Sequence, residues 1–299
     1  MKILLVTPIR KTPDDPHYFW LKALRQLKHQ VMLFPLTGPS RLINSWNLFQ
    51  TIARRRPDAV FFSAGRDAAY PVKDTIFFCG VPPAWLSKSE RATGLLAKLV
   101  VINDAAHCRQ WQKLGAKKVI NLPVSAIHPK DFKLKKLPRI FPVSFVGSLF
   151  GERQIRLARI ARLYPNLKIW GSLPPGTKLL AELKAFYQGE VWGKDMVKIY
   201  QQSLIGLNLA PAHMSQGGNI RAFEIAGAGA LLLSDQLNPD WYAEKKQAVK
   251  FNSAADCAKK IKYYLAHRRR LAQIARAGRQ RTIRQHTYLR RFRRLLQQL

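Results

Sequence analysis

The sequence passes again and again through short apolar runs without polar alternation, at residues 2–7, 31–36, 59–64, 75–79, 99–103 and 119–123. A strand with one wet face alternates apolar with polar side chains. An unbroken run belongs to a strand covered on both faces, as in a parallel sheet. Helical stretches fall between the runs: one carries Phe19, Leu21, Ala23, Leu24 and Leu27, one covers about 42–55 and ends at Pro57, and one passes through Trp111 to Leu114. This order predicts an α/β domain with a doubly wound parallel sheet.

The pattern then restarts. Residues 128–142 place Pro129, Pro138 and Pro142 among Lys130, Lys133, Lys135 and Lys136, and such a polar, proline-punctuated stretch reads as a linker. Beyond it, strands are expected at 143–147, 167–170 and 205–209, and helices at 153–163 and 196–202. At 299 residues the chain exceeds the usual size of one domain. The expected domains are therefore 1–137 and 138–299, facing each other across a cleft where a ligand would sit.

Ligands of such sheets bind beyond the carboxyl ends of the strands. In the first half Thr7, Pro8, Gly65, Arg66, Gly80 and Asp104 fall there, together with the loop 8–18 that carries Pro13, Asp14, Asp15, Pro16 and His17. Adjacent Asp14 and Asp15 point apart in an extended loop, which favours a solvated turn. In the second half the stretch from Gly217-Gly218-Asn219 through Arg221, Glu224, Gly227 and Gly229 into Leu231-Leu232-Leu233 reads as loop, short helix and buried strand. Paired glycines permit close backbone approach, Asn219 suits the N-cap, and a helix start favours an anion such as phosphate. Arg221 and Glu224, three apart, share one helical face. Two readings stand here: a phosphate and sugar site, or an exposed ion pair on a helix whose glycines allow tight packing.

Charge narrows the partners. Fifty-one Lys and Arg against 17 Asp and Glu give a formal net charge of +34, a field that attracts nucleic acid, an acidic membrane leaflet or phosphorylated substrates. Three cysteines, Cys79, Cys108 and Cys257, show no CxxC spacing, which suggests neither a disulfide framework nor a zinc site. The opening residues 1–6 are too short for the apolar part of a signal peptide before Pro8 and Arg10, and no apolar run reaches the roughly 20 residues of a spanning helix. The expected setting is cytoplasmic, with membrane contact limited to a peripheral position on the inner face. After Asp256 no acidic residue occurs. Arginines from Arg268 to Arg294 interleave with Leu271, Ile274, Ala275, Tyr288, Phe292 and Leu295 at spacings of three and four, which predicts amphipathic helices with one packed face and one cationic face.

Four landmarks recur in order over the second half. They are Phe145-Val146-Gly147-Ser148 with Arg153; the run 189–196 with Tyr200, Ser203, Gly206 and Asn208; Arg221-Ala222-Phe223-Glu224 with Gly229; and Tyr263-Tyr264-Leu265 with Ala275, Gly278-Arg279, His286-Thr287-Tyr288 and Arg291. With them the chain resembles the GT-B glycosyltransferases, and among these the spore maturation, or group 1, family. The first half agrees more loosely, at residues 27–31, 56–60 and 114–123.

The resemblance implies two Rossmann-like domains: an acceptor domain at 1–137, and a nucleotide-sugar domain at 138–299 whose basic C-terminal helices are placed to pack back on the first. It implies that Glu224 holds the donor ribose, that Arg153 contacts the diphosphate, and that Gly147, Ser148, Val191, Gln216, Gly218, Asn219 and Arg221 line the donor site. Fixed cations and helix N–H groups would stabilise the charge gathering on the leaving diphosphate. No DxD motif occurs, so neither metal nor cofactor is expected, the nucleotide sugar being a substrate. His17, Asp104 and His107 are the candidates for a base acting on the acceptor hydroxyl. A retaining outcome is implied. Yet Gln216 stands where retaining relatives commonly carry a second Glu, eight residues before Glu224, and Ser148 where they often have Arg. The glycine-rich loop that some relatives place after the first strand is absent from 7–18. The expected acceptor is a glycan, a lipid-linked molecule or a protein, cell-envelope material above all, with an anionic membrane surface or polyanionic glycan drawn to the basic tail.

Two alternatives remain. A GT-B-fold nucleotide-sugar epimerase would need its own histidines and acids near the anomeric carbon, and that set is not seen. A nucleic-acid-binding protein would account for the charge, with Trp and Tyr for stacking, but no nucleic-acid module is recognisable and the two α/β halves would have no role.

Overall fold

The structure, a computed structural model, describes residues 1–7, 16–36, 41–63, 71–123, 125–214, 216 and 219–299. The expected site positions Pro8 to Asp15, Gly65, Arg66, Gly217 and Gly218 lie outside these. Two compact units emerge. The first comprises Met1–Ser125, His213–Gly217 and Tyr288–Leu299; the second comprises Ala126–Ala212 and Gly218–Thr287.

The first unit is built from β1 (Lys2–Thr7), α1 (Pro16–Gln26), β2 (Gln30–Pro35), α2 (Arg41–Arg55), β3 (Ala59–Ser63), β4 (Ile76–Cys79), α3 (Lys88–Leu95), β5 (Leu99–Ile102), α4 (Ala105–Lys113) and β6 (Val119–Asn121). Its strands form one parallel sheet in the order β2-β1-β3-β4-β5-β6. Both faces are covered, which is why the runs read as unbroken. Leu4, Val6, Phe62 and Phe77 pack on one side with Leu48 of α2 and Trp111 of α4. On the other side Phe61 and Phe78 meet Trp20 of α1 and Phe292, from the chain's last helix.

The second unit contains β7 (Phe141–Val146), α5 (Gly151–Leu163), β8 (Leu167–Trp170), α6 (Gly193–Gln201), β9 (Ser203–Asn208), α7 (Ile220–Ala228), β10 (Leu231–Ser234), β11 (Val249–Lys250), α8 (Ala254–Ala266) and α9 (Arg268–Gln285); α10 (Tyr288–Leu296) belongs to the first unit. Its parallel sheet runs β11-β10-β9-β7-β8. Val143, Phe145, Leu207 and Leu233 pack on one face beneath α5, α8 and α9, and Val146 and Leu232 on the other beneath α6 and α7. Each unit is thus an α/β layer structure around a parallel sheet.

Residues 128–142, read above as a linker, belong to the second unit: 141 and 142 open β7, and the stretch before them is tied down. Arg139 donates to the carbonyls of Tyr200, Ser203 and Gly229, and Gln201 bonds the backbone of Lys133 and Lys135. The Tyr200 and Gly229 carbonyls close α6 and α7, where a guanidinium suits the negative helix end. The tail differs in a similar way from a uniform cationic face. Arg279 donates to Phe132 and Gly227 carbonyls and Arg281 to those of Asp240 and Trp241, so part of the charge satisfies buried backbone.

Candidate functional site

In the second unit the chain leaves β7 for β8 on one side and returns to β9 on the other. The carboxyl ends of β7 and β9 therefore flank the point where strand order reverses, the place where open α/β sheets form a crevice. Arg153, in the first turn of α5, bridges that point. Its guanidinium donates to the Ser148 carbonyl after β7 at 2.9 Å and to the Leu209 carbonyl after β9 at 2.8 Å. The ring of Phe150 lies 4.3 Å from the guanidinium carbon. The side chain is buried, its Nε has no hydrogen-bond partner, and among the described residues no carboxylate forms an ion pair with it. Burial, then the charges of Arg156 and Arg221, pull its pKa down to about 10. A buried cation without a counter-ion is costly, and a bound anion would relieve it.

Gly147, buried at the end of β7, donates its N–H to the Trp170 carbonyl at 3.0 Å. The strand ends approach so closely that a Cβ on Gly171, whose φ is +152°, would stand 1.8 Å from the Gly147 carbonyl oxygen. Ser148 is exposed, with its hydroxyl 3.4 Å from that of Ser172. Val191 is half-buried before α6, against the cluster that holds Val146, Trp170 and Tyr200.

On α7, Arg221 and Glu224 face each other across one turn at 2.6 Å, and the Arg221 guanidinium also contacts the Met196 sulfur. Burial disfavours the Arg221 charge, but Glu224 outweighs it and holds the guanidinium pKa above its ordinary value. Tyr200, fully buried, donates to the Val146 carbonyl at 3.2 Å, and burial raises its phenol pKa. Asn219 occupies the N-cap of α7 as expected, but its side chain does not cap. It exchanges two hydrogen bonds, at 2.7 and 3.1 Å, with Asn208 at the end of β9, which in turn donates to Ser234 at the end of β10. The α7 start is thereby fixed to the sheet, and its first N–H groups receive no bond from the Asn219 side chain.

Sequence reasoning passed over Arg156 and Asp235. Asp235, just after β10, pairs with Arg156 and accepts from the Ala210 N–H at 2.9 Å, while Arg156 also donates to the Ala210 carbonyl. Asp235 directly follows a strand on the ligand side, which was the signal available, whereas Arg156 sits in the second turn of α5. The site thus gathers Arg153, Arg156 and Arg221 against Glu224 and Asp235, one cation in excess, and is suited to an anion.

The other expected residues lie in the first unit. His17 is half-buried, its Nε2 3.0 Å from the Ser63 hydroxyl at the end of β3, beside the strand-order reversal between β1 and β3. Asp104 is buried at the N-cap of α4. One carboxylate oxygen accepts from the Ala106 N–H at 2.9 Å and the other from the Gln216 N–H at 3.0 Å. Gln216 therefore meets Asp104 through its backbone. His107 is buried; its Nε2 donates to the His213 carbonyl at 3.2 Å and its Nδ1 has no partner.

Residues 153–297 match a family model described as glycosyl transferase-like. No curated protein sequence matches the chain. Solved structures match over their full length. A glycosyltransferase from Rickettsia africae shares 15% identity, covering 99% of this chain and 97% of that one with a TM-score of 0.72. Sucrose-phosphate synthase from Thermosynechococcus elongatus shares 11% identity, with coverage of 99% and 98% and a TM-score of 0.70. Anabaena HepE, solved in complex with UDP and glucose, shares 13% identity over 100% of both chains with a TM-score of 0.67. The resemblance drawn from the sequence holds: the chain has the GT-B glycosyltransferase fold.

Proposed function

We propose that this GT-B-fold chain transfers a sugar from a nucleotide-sugar donor, held in the second unit, to a hydroxyl acceptor held in the first. The observation that carries the proposal is Arg153, a buried cation that has no carboxylate partner among the described residues and stands at the strand-order reversal, with Arg156 and Arg221 close enough to depress its pKa further. A diphosphate is the ligand whose charge answers that arrangement, and the gain grows as the leaving group takes on charge. Gly147, Ser148, Val191 and the α7 start are the residues we assign to the diphosphate and base, and Glu224 accepts from the ribose while restrained by Arg221. The excess guanidinium charge of Arg153, with the α7 start, is our ground for transfer without a metal ion, so activity should survive a chelator.

His17 is the group we assign to the acceptor hydroxyl, since its imidazole stands beside the first sheet's reversal, whereas Asp104 has both oxygens engaged by backbone N–H groups. His107, next to Asp104, shapes that same acceptor region. We take the acceptor to be a glycan or other envelope hydroxyl, and the outcome to be retaining, as the resemblance implies. Product anomer analysis by NMR decides the last point.

The test is a panel of nucleotide sugars and nucleoside diphosphates, UDP first, scored by thermal shift and then by sugar transfer. A ligand that binds only the folded state must raise the unfolding temperature. If no nucleoside diphosphate or nucleotide sugar stabilises the protein, the donor assignment is wrong. If RNA binds at physiological salt and no donor does, the nucleic-acid reading replaces it.

A further inference from the structure

We propose that α2 is a membrane-docking element, which inserts an apolar stripe into the interface of an anionic bilayer. A helix laid on a sheet ordinarily turns its large apolar residues inward. On α2 the distribution is reversed. Inward, Ser45 and Leu48 are buried and Ile52 is partly so. Outward stand Leu42 at 59% exposure, Ile43 at 58%, Trp46 at 64% and Phe49 at 39%. Leu42, Trp46, Phe49 and Ala53 follow one another at spacings of four, three and four, which is one continuous stripe on a helix. Single exposed apolar residues are commonplace, whereas a row of them on one element marks a binding surface.

Charge selects the occupant. The helix has no Asp or Glu, and it ends on Arg54 and Arg55, with Arg56 directly after it, all exposed. A cationic end beside a Trp- and Phe-bearing stripe is the composition of an interfacial helix, in which aromatic rings sit at headgroup level and arginines meet anionic lipid. A second copy of this chain is the poorer fit, because two bodies each carrying a formal +34 repel one another. Among the described residues no helix is long and apolar enough to cross a membrane, so the contact is one of lying on the surface. It places the acceptor-binding unit of the proposed transferase against the leaflet, which makes a lipid-borne hydroxyl the favoured acceptor; this last step rests on the proposed function, while the docking itself does not.

The experiment uses the full chain with vesicles of phosphatidylcholine alone and of phosphatidylcholine mixed equally with phosphatidylglycerol, read by co-sedimentation. Wild type should partition onto the mixed vesicles at least about tenfold more strongly than onto the neutral ones. The triple variant Leu42→Ser, Trp46→Ser, Phe49→Ser should lose at least about tenfold of that partitioning, while its unfolding temperature and its UDP-induced stabilisation stay as in wild type. Trp46→Ser alone serves as a milder variant, with a smaller loss in the same direction. Binding of the triple variant at wild-type strength would overturn the proposal, because charge alone would then suffice. So would indifference of the wild type to both vesicles, or a wild-type dimer that the triple variant abolishes. Loss of UDP binding by wild type, with vesicle binding intact, would count against the donor site and leave the docking face standing.

Discussion

Replacing Arg153 with methionine should separate folding from donor binding. In the ligand-free protein the cation is a burden: a fall from the ordinary 12.5 to about 10, at about 1.4 kcal/mol for each tenfold step, amounts to about 3 kcal/mol against the charged form. Removing the charge recovers that sum. Against it stands the Leu209 carbonyl, buried and left without its donor, at about 1–3 kcal/mol, and the lost stacking on Phe150 at about 1 kcal/mol. The Ser148 carbonyl belongs to an exposed residue and returns to water. The terms nearly cancel, so Arg153→Met should lie within about 2 kcal/mol of wild type in a urea titration. Donor binding should change far more. A charge-assisted hydrogen bond to phosphate contributes about 1.5–3 kcal/mol, so UDP affinity by calorimetry should fall by about ten- to a hundredfold. A variant that keeps UDP affinity within a factor of about three would refute the diphosphate role. One destabilised by more than about 5 kcal/mol would show that Arg153 is held for the fold.

Three further outcomes follow from the geometry. Donor affinity should stay level from neutral pH upward and decline as pH rises through about 10, where Arg153 loses its proton; the depressed pKa of a base means that the attractive cation exists only below it, and an affinity flat beyond that point would count against the assignment. Gly171→Ala would force a Cβ against the Gly147 carbonyl, and denaturant titration should show a loss of at least about 3 kcal/mol together with weakened UDP binding. Phe292→Ala empties a fully buried position among Trp20, Phe61 and Phe78, which should cost about 3–5 kcal/mol while UDP affinity of the folded fraction is unchanged.

The strands were legible because burial on both faces leaves its mark locally: 167–170 and the cores of β1, β3, β4 and β5 stand within a residue or two of the expected bounds. Helix α3 was not read, although Ser87 and Glu90 form a capping box that the sequence spells as S-x-x-E. What local pattern could not disclose are pairings made across the fold. Asn219 looks like a side-chain cap until β9 brings Asn208 beside it. Asp104 looks like a free carboxylate until Gln216, 112 positions away, takes one of its oxygens. Arg153 was legible as a residue of the site only through the family resemblance; that its charge is buried, and without a carboxylate among the described residues, is visible only once Ser148 and Leu209 converge on it.

The return of α10 to the first unit has a consequence for synthesis. Trp20, Phe61 and Phe78 leave the ribosome long before Phe292, which packs against all three and follows the whole of the second unit in the chain. Vectorial translation usually lets the leading domain fold first. Here the first unit holds an aromatic face open until α10 is made, while the second unit has all its residues by Thr287. The nascent chain should therefore need shielding by a chaperone such as a ribosome-bound holdase, and the part synthesised first is the part completed last.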